Sequence, residues 1–375
     1  MLAGLPACVF ASAPPAKKAK PLPRVGEFFR FLDPLTEAPV VRLTSLTSNS
    51  FLPAPTNRFV SVKDRFLVFS SDRAGTVAPF QVDLRTGILT QLAQTRQLVC
   101  ESLCLNQKRN ALLLLDGGTL QEITLQNRKA RTLADGVGSF SELPSGSGEA
   151  DFVIVRNRQL QRLAAGSAPL AQDVETFCAA RPGGQGSLFM RKTDENEREY
   201  WYAPLSSSGA AGPLVLARGK VSNAVWTPDG QALLFLREVV RANGIATSEI
   251  RSVSPESPVE RCLAPTSQYA AFAPNADASV FVGASRSKAQ PAILLLLASA
   301  EREMTLCEHR ASHPAAVLPA FSPDSKRVYF QSDHEGKSAL YSVNVELLVE
   351  PTTAGEAAQA FSHLPGNPLL RFLVC

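Results

Sequence analysis

Residues 320–346 read AFSPDSKRVYFQSDHEGKSALYSVNVE, and this stretch decides the fold. After the apolar Phe321, Ser322-Pro323-Asp324-Ser325 makes a tight turn: proline presets φ, and the serine and aspartate side chains bond the backbone around them. Residues 327–332 then alternate, with Val328 and Phe330 on one side and Arg327, Tyr329 and Gln331 on the other. That period of two marks a half-buried strand. Asp333-His334-Glu335-Gly336 turns the chain again, and residues 339–344 form a further strand. A sheet this small cannot cover both of its own faces, so others must stack against it.

The same phrase recurs. FLVFSS at 66–71, the turn Asp72-Arg73-Ala74-Gly75, a strand at 77–83, the turn Thr86-Gly87 and a strand at 88–93 repeat the order. Weaker copies lie between the two. Residues 112–115 follow Asn106-Gln107-Lys108, and residues 152–155 follow Ser145-Gly146-Ser147-Gly148. Residues 188–190 follow Pro182-Gly183-Gly184, residues 233–236 follow Thr227-Pro228-Asp229-Gly230, and residues 280–282 follow Pro274-Asn275-Ala276-Asp277. One aligned residue per copy (Phe69, Leu114, Val153, Phe189, Phe235, Phe281, Phe330) gives intervals of 45, 39, 36, 46, 46 and 49. A period in the forties with short strands is the signature of a propeller blade. Seven units fit between about 55 and 350, which predicts an all-β, seven-bladed β-propeller of four-stranded antiparallel blades. The competing β-sandwich has to treat the repeated turns as coincidence.

The 375 residues are 45% hydrophobic, enough for a ring of blades to bury a core. The net charge of +4 is too weak to argue for nucleic acid or an anionic membrane surface. No apolar run reaches the ~18–20 residues of a membrane-spanning helix, and the longest, 292–298, suits a strand between blades. The chain divides into an N-terminal segment at 1–27, flexible or cleaved, a propeller at 28–350, and a tail at 351–375 whose apolar end (369–375) should dock somewhere. Val40, Val41 and Leu43 form a strand without three partners of its own. A closing strand near 39–45 fits the last blade and fastens the ring, with 347–350 as that blade's own fourth strand. Residues 2–13 have the outline of a truncated signal peptide. No basic residue precedes them and Pro14 follows the cut site, so a cytoplasmic monomer is expected, with a periplasmic or secreted protein as the alternative.

The seven cysteines, Cys8, Cys100, Cys104, Cys178, Cys262, Cys307 and Cys375, are odd in number and widely spaced. They suit buried thiols better than a disulfide framework or a structural zinc site. Cys262 and Cys307 stand one blade period apart, at equivalent strand positions. Gly183-Gly184-Gln185-Gly186 lacks the strand-to-helix context of a phosphate loop and reads as a blade turn. Asp72, Asp324 and Asp333 recur at turns as backbone caps, and no hydrolase nucleophile motif is present.

Both ends of the chain resemble the oligogalacturonate lyase family, seven-bladed propellers akin to TolB-like repeat proteins. Asp33-Pro34-Leu35-Thr36 with Val40-Val41-Arg42-Leu43-Thr44 resembles the family's opening strand. FLVFSSDRAGTVAPFQVDLRTGILTQLA is similar to its first repeat. His313-Pro314, Phe321-Ser322-Pro323-Asp324 and FQSDHEGKSALYSV resemble its last, while 101–218 aligns by blade rhythm alone. The resemblance implies β-elimination on short galacturonides, part of pectin degradation. In that chemistry a base removes the proton beside the uronate carboxylate, and a divalent cation, typically manganese, neutralises that carboxylate. It further implies a metal held chiefly by histidines at the central channel and another histidine as base.

This chain departs from that pattern. Asn223 stands where the resemblance expects the base histidine, and Gln268-Tyr269-Ala270-Ala271 where it expects a metal histidine. His313-Pro314 is followed by Ala315-Ala316-Val317-Leu318-Pro319 in place of a second His-Pro pair. The chain has four histidines, His309, His313, His334 and His363, so Glu308, His309 and His313 are the one group left to hold a cation. Residues just before each innermost strand should sit at the channel mouth, which selects Arg58, Phe59, Glu101, Ser102, Phe140, Glu142, Thr176, Phe177, Asn223 and Tyr269. Arg58, Glu101, Phe140, Phe177, Asn223 and Tyr269 among them suit stacking and hydrogen bonding to a sugar or peptide. Two functions follow. The favoured one is a binding or scaffold propeller without cofactor, taking a uronate oligosaccharide or a protein or peptide ligand. The alternative is a lyase with a rearranged site, using manganese or another divalent cation on His313 and Glu308, with Lys220 or Tyr269 as base.

Overall fold

The computed structural model describes residues 26–349 except 107, 145–150, 165–166, 194–196, 206–211, 243 and 301. The expected signal-like segment, the tail, Cys8, Cys375, His363 and the turn at 145–148 lie outside the described residues. Seven antiparallel sheets form a seven-bladed β-propeller. Five sheets have four strands, blade 3 has three and blade 7 has five. Among the described residues helix is confined to one α turn, Glu346–Val349, and three 3-10 turns. No helix among them is long and apolar enough to cross a membrane.

The residues aligned by period all fall on the second strand of their blade. Phe69, Leu114, Val153, Phe189, Phe235 and Phe281 are fully buried, and Phe330 nearly so. In blade 7 the strands Arg327–Ser332 and Ala339–Asn344 stand where the alternation predicts them. One expectation changes: Arg327–Ser332 is buried on both faces, with Tyr329 as inaccessible as Val328 and Gln331 also buried. Neighbouring blades stack on each side of a second strand, so its polar residues are buried and must find partners. Gln331 accepts from Leu52 N–H (2.6 Å) and donates to the Ala316 carbonyl (2.6 Å), tying blade 7 to blade 1. The core accordingly runs between blades as six apolar clusters, each drawing on adjacent sheets.

The ring closes as expected with one correction. Pro39–Arg42 pairs with Ala339–Asn344 in the register Val40↔Val343, Val41↔Ser342, Arg42↔Tyr341, and Leu43 N–H extends it to Leu340 (2.7 Å). Residues 346–349 form the α turn rather than the blade's fourth strand. The fourth and fifth strands come from the N-terminal side, Pro39–Arg42 and Phe29–Leu32. Cys178 and Cys307 are buried as expected, whereas Cys262 is exposed on the outer strand of blade 5.

Blade 1 carries the feature that shapes the channel. Its innermost strand is split: Ser50–Phe51 pairs with the far end of Phe66–Ser71, and Val60 bridges Leu67 at the near end. Pro53 and Pro55 lack amide donors and cannot continue a ladder, so residues 52–58 leave the sheet. They lean on blade 2, where Ala54 N–H donates to Glu101 O (3.0 Å) and Leu105 N–H to Arg58 O (2.6 Å).

Candidate functional site

Two cavities lie where the innermost strands end, and Arg58, Phe59, Phe140 and Glu142 of the residues selected for the channel mouth line one or the other. One cavity of about 430 Å³ is ringed by residues 55–60 and the strand ends at Pro182, Thr227-Pro228, Pro274-Asn275 and Ser322-Pro323. A second, of about 520 Å³, opens beside it between blades 1, 2, 3 and 4. A third cavity, with Glu101, Ser102, Phe140, Thr176 and Phe177, holds about 90 Å³. Either larger cavity falls in the ~300–1,000 Å³ range of small-ligand sites.

The second cavity is the polar one. The inserted loop brings Arg58 into it, and Arg58 makes no ion pair with another described residue. Blade 2 contributes Asn106, at the end of its innermost strand Cys104–Asn106, and Lys108 and Arg109 from the turn that follows. Blade 3 contributes Phe140 and Glu142 from Ser139–Leu143, with Phe140 edge-on to Phe152 at 6.4 Å. Asn106 is buried and donates its amide to the Glu142 carboxylate, while its carbonyl accepts from Arg109 N–H (3.0 Å). Arg109 also pairs with the buried Glu122. Burial pushes the Glu142 carboxyl above the ordinary carboxylate range, against the pull of Arg109 and Arg58. Burial likewise raises the Cys104 thiol to about 11, so the cysteine on this wall is a poor nucleophile.

Of the sequence-derived ligand residues, Arg58 and Phe140 meet in this cavity, and Phe140 also reaches the narrow end with Glu101 and Phe177. Asn223 and Tyr269 go elsewhere. Asn223, at φ +53°, bonds the Ala270 carbonyl (2.9 Å) and joins blades 5 and 6. Tyr269 is fully buried over Gly283, where a Cβ would stand 2.2 Å from the ring, so only glycine fits there. Its hydroxyl lies near Glu303 without a hydrogen bond of normal geometry, and burial with that negative charge raises its pKa. Lys220 turns its ammonium to Glu238 (3.0 Å).

The donors proposed for a cation do not converge. His309 is fully buried, and both ring nitrogens are used: Nδ1 accepts from Ala311 N–H (3.0 Å) and Nε2 donates to the Ser285 carbonyl (2.9 Å). Glu308 is held by Arg310, and His313 is exposed at the start of the 3-10 turn Pro314–Ala316. Among the described residues no three His, Cys, Asp or Glu side chains could hold a metal together. The residues missed by sequence reading are Asn106, Lys108 and Arg109. The signal available was the turn after blade 2's first strand, Asn106-Gln107-Lys108-Arg109, which replaces the proline turns of blades 4 to 7 with donors.

No family model matches the chain, and no curated protein does. Solved structures do. An oligogalacturonate lyase in complex with manganese superposes with a TM-score of 0.74 at 19% identity, over 85% of this chain and 96% of that one. An oligogalacturonate lyase from Vibrio parahaemolyticus gives 0.67 at 17%, over 86% and 97%. A chain of the mitotic checkpoint complex gives 0.53 at 14%, over 91% and 99%. This chain, a propeller of seven sheets, therefore has the fold of these oligogalacturonate lyases.

Proposed function

We propose that the protein is a binding propeller that takes a short acidic saccharide, a uronate oligosaccharide, in the polar side of its channel without performing metal-assisted elimination. The observation that carries this reading is the pairing of Arg58 with Asn106, Lys108 and Arg109 around a cavity of about 520 Å³. A guanidinium without an ion-pair partner among the described residues binds a carboxylate, the amide and ammonium serve ring oxygens and hydroxyls, and Phe140 offers an apolar edge to a sugar face. Manganese, which an oligogalacturonate lyase of this fold binds, does not fit the donors here, because His309 has no free ring nitrogen and Glu308 faces Arg310. The lyase alternative would need His313 with Glu308 for the cation and Lys220 or Tyr269 as base. Tyr269 is sealed in the core and Lys220 is ion-paired.

Calorimetric titration with digalacturonate, with and without manganese, tests the reading. Binding that is unchanged by chelator and about tenfold or more weaker in Arg58→Ala is the expected result. Release of an unsaturated product, abolished by chelation and by His313→Ala, would establish the lyase instead. An acidic peptide that binds where digalacturonate does not would replace the saccharide with a protein ligand.

A further inference from the structure

Resting on the binding reading above, we propose that Glu142 takes up a proton when a carboxylate ligand docks on Arg58. The acid and the ligand's carboxylate then share one hydrogen, and the site selects acidic saccharides more strongly as pH falls. Among the described residues lining this cavity Glu142 is the one carboxylate. Asn106 anchors one of its oxygens, and the other accepts nothing from the described residues. Around it, Arg58 comes from the inserted loop, Lys108 and Arg109 from the turn of blade 2, Cys104 and Glu122 from blade 2's strands, and Arg181 from blade 4.

Arg109 shares Glu122 with Arg131, and Arg181 pairs with Glu256, which leaves Arg58 and Lys108 as the cations of the cavity that make no ion pair with a described residue and meet an incoming anion. A carboxylate on Arg58 therefore enters the same cavity that Glu142 lines. Two like charges at such a site cannot both ionise without cost, so one takes a proton from solvent. Burial already favours the neutral form of Glu142 before any ligand arrives. A ligand carboxylate moves the carboxyl further the same way, so affinity is greatest at low pH and declines as pH rises through the liganded pKa.

Digalacturonate titrated into the full chain near pH 6.5, in two buffers of different ionisation enthalpy, should show net uptake of about half a proton. Its affinity should rise about tenfold from pH 7.5 to 5.5, about one pH unit's worth of linkage. The methyl ester of the same disaccharide, which has no charge, should bind without proton uptake and with a flat pH profile. Glu142→Gln should bind digalacturonate about tenfold more tightly at pH 7.5 and lose the pH dependence. Digalacturonate that binds with no proton uptake at any pH overturns the proposal and leaves the binding reading intact. Wild-type uptake that persists unchanged in folded Glu142→Gln assigns the proton elsewhere and also overturns it. No binding at any pH overturns both.

Discussion

Arg181 is 4% exposed, and its guanidinium lies 5.8 Å from the Tyr202 ring and 5.6 Å from the Trp226 ring. Nε donates to the Gly230 carbonyl (2.6 Å), and the fork pairs with Glu256 on the third-to-fourth-strand turn of blade 5. One side chain thus fastens blade 4 to blade 5 by stacking, a hydrogen bond and an ion pair. Only a planar cation with several donors does all three. Other arginines repeat the stacking. Arg73 lies over Phe69 and Phe80 in blade 1, and Arg191 over Phe189 and Trp201 in blade 4. Arg181→Ala should cost about 3 kcal/mol, because it removes packing from two rings and leaves a buried carbonyl unpaired. Arg181→Lys should recover part of that loss, since the charge remains and the fork does not. Urea unfolding followed by tryptophan fluorescence measures both, with Trp226 reporting from the seam itself.

At the scale of the element, the closing strand is the piece most exposed to test. Pro39–Arg42 belongs to the last blade in space and to the first in sequence, flanked by Phe29–Leu32 outside and Ala339–Asn344 inside. Val40 and Leu43, each 2% exposed, fill different clusters, Val40 at the blade 6–7 seam and Leu43 around blade 1. A chain beginning after Thr44 should fail to give a compact monomer, and a synthetic peptide of residues 26–45 should restore it in trans, read by size exclusion and by the unfolding midpoint. The periodic elements were legible because each second strand must be apolar on both faces, which puts Phe69, Phe189, Phe235, Phe281 and Phe330 in phase. The fourth strand of blade 7 was legible only through unpaired Val40 and Val41. Residues 347–350 misled because local order favours the next segment, and a ring is closed by its distant end. At the site, Arg58 and Phe140 followed from blade position. Asn106 and Lys108 did not, since the segment 52–58 that sets Arg58 beside them leaves the ladder of blade 1 and leans on blade 2, which no period encodes.

For the molecule as a whole, ring closure makes each seam depend on the others, so a local titration reads out as global stability. The seam between blades 6 and 7 carries His309 and His334, whose pKa values burial lowers from the ordinary 6.5. Neutral His309 has one ring nitrogen accepting and one donating, and a second ring proton would set two N–H groups against each other at Ala311. Glu308 and the Ser285 carbonyl favour its protonation and His334 opposes it; around His334 stand Glu335, Arg310, Asp333 and Arg42. The sign follows from linkage. Below about 6.5 the unfolded chain binds protons that the folded seam refuses, so stability falls as pH drops from neutral toward the depressed folded values. Asp333 and Glu335 are shifted below the ordinary carboxylate range, so their contribution is lost only at lower pH and does not mask the histidines. The wild-type melting temperature should therefore drop by a few degrees between pH 7.5 and 5.5. His309→Gln, whose amide can keep one donor and one acceptor in place, should flatten that slope. Glu142, raised by burial, slopes the other way, so a profile that is level or rises over this interval in Glu142→Gln would show that the seam does not hold its histidines neutral, and that acid does not open the ring there.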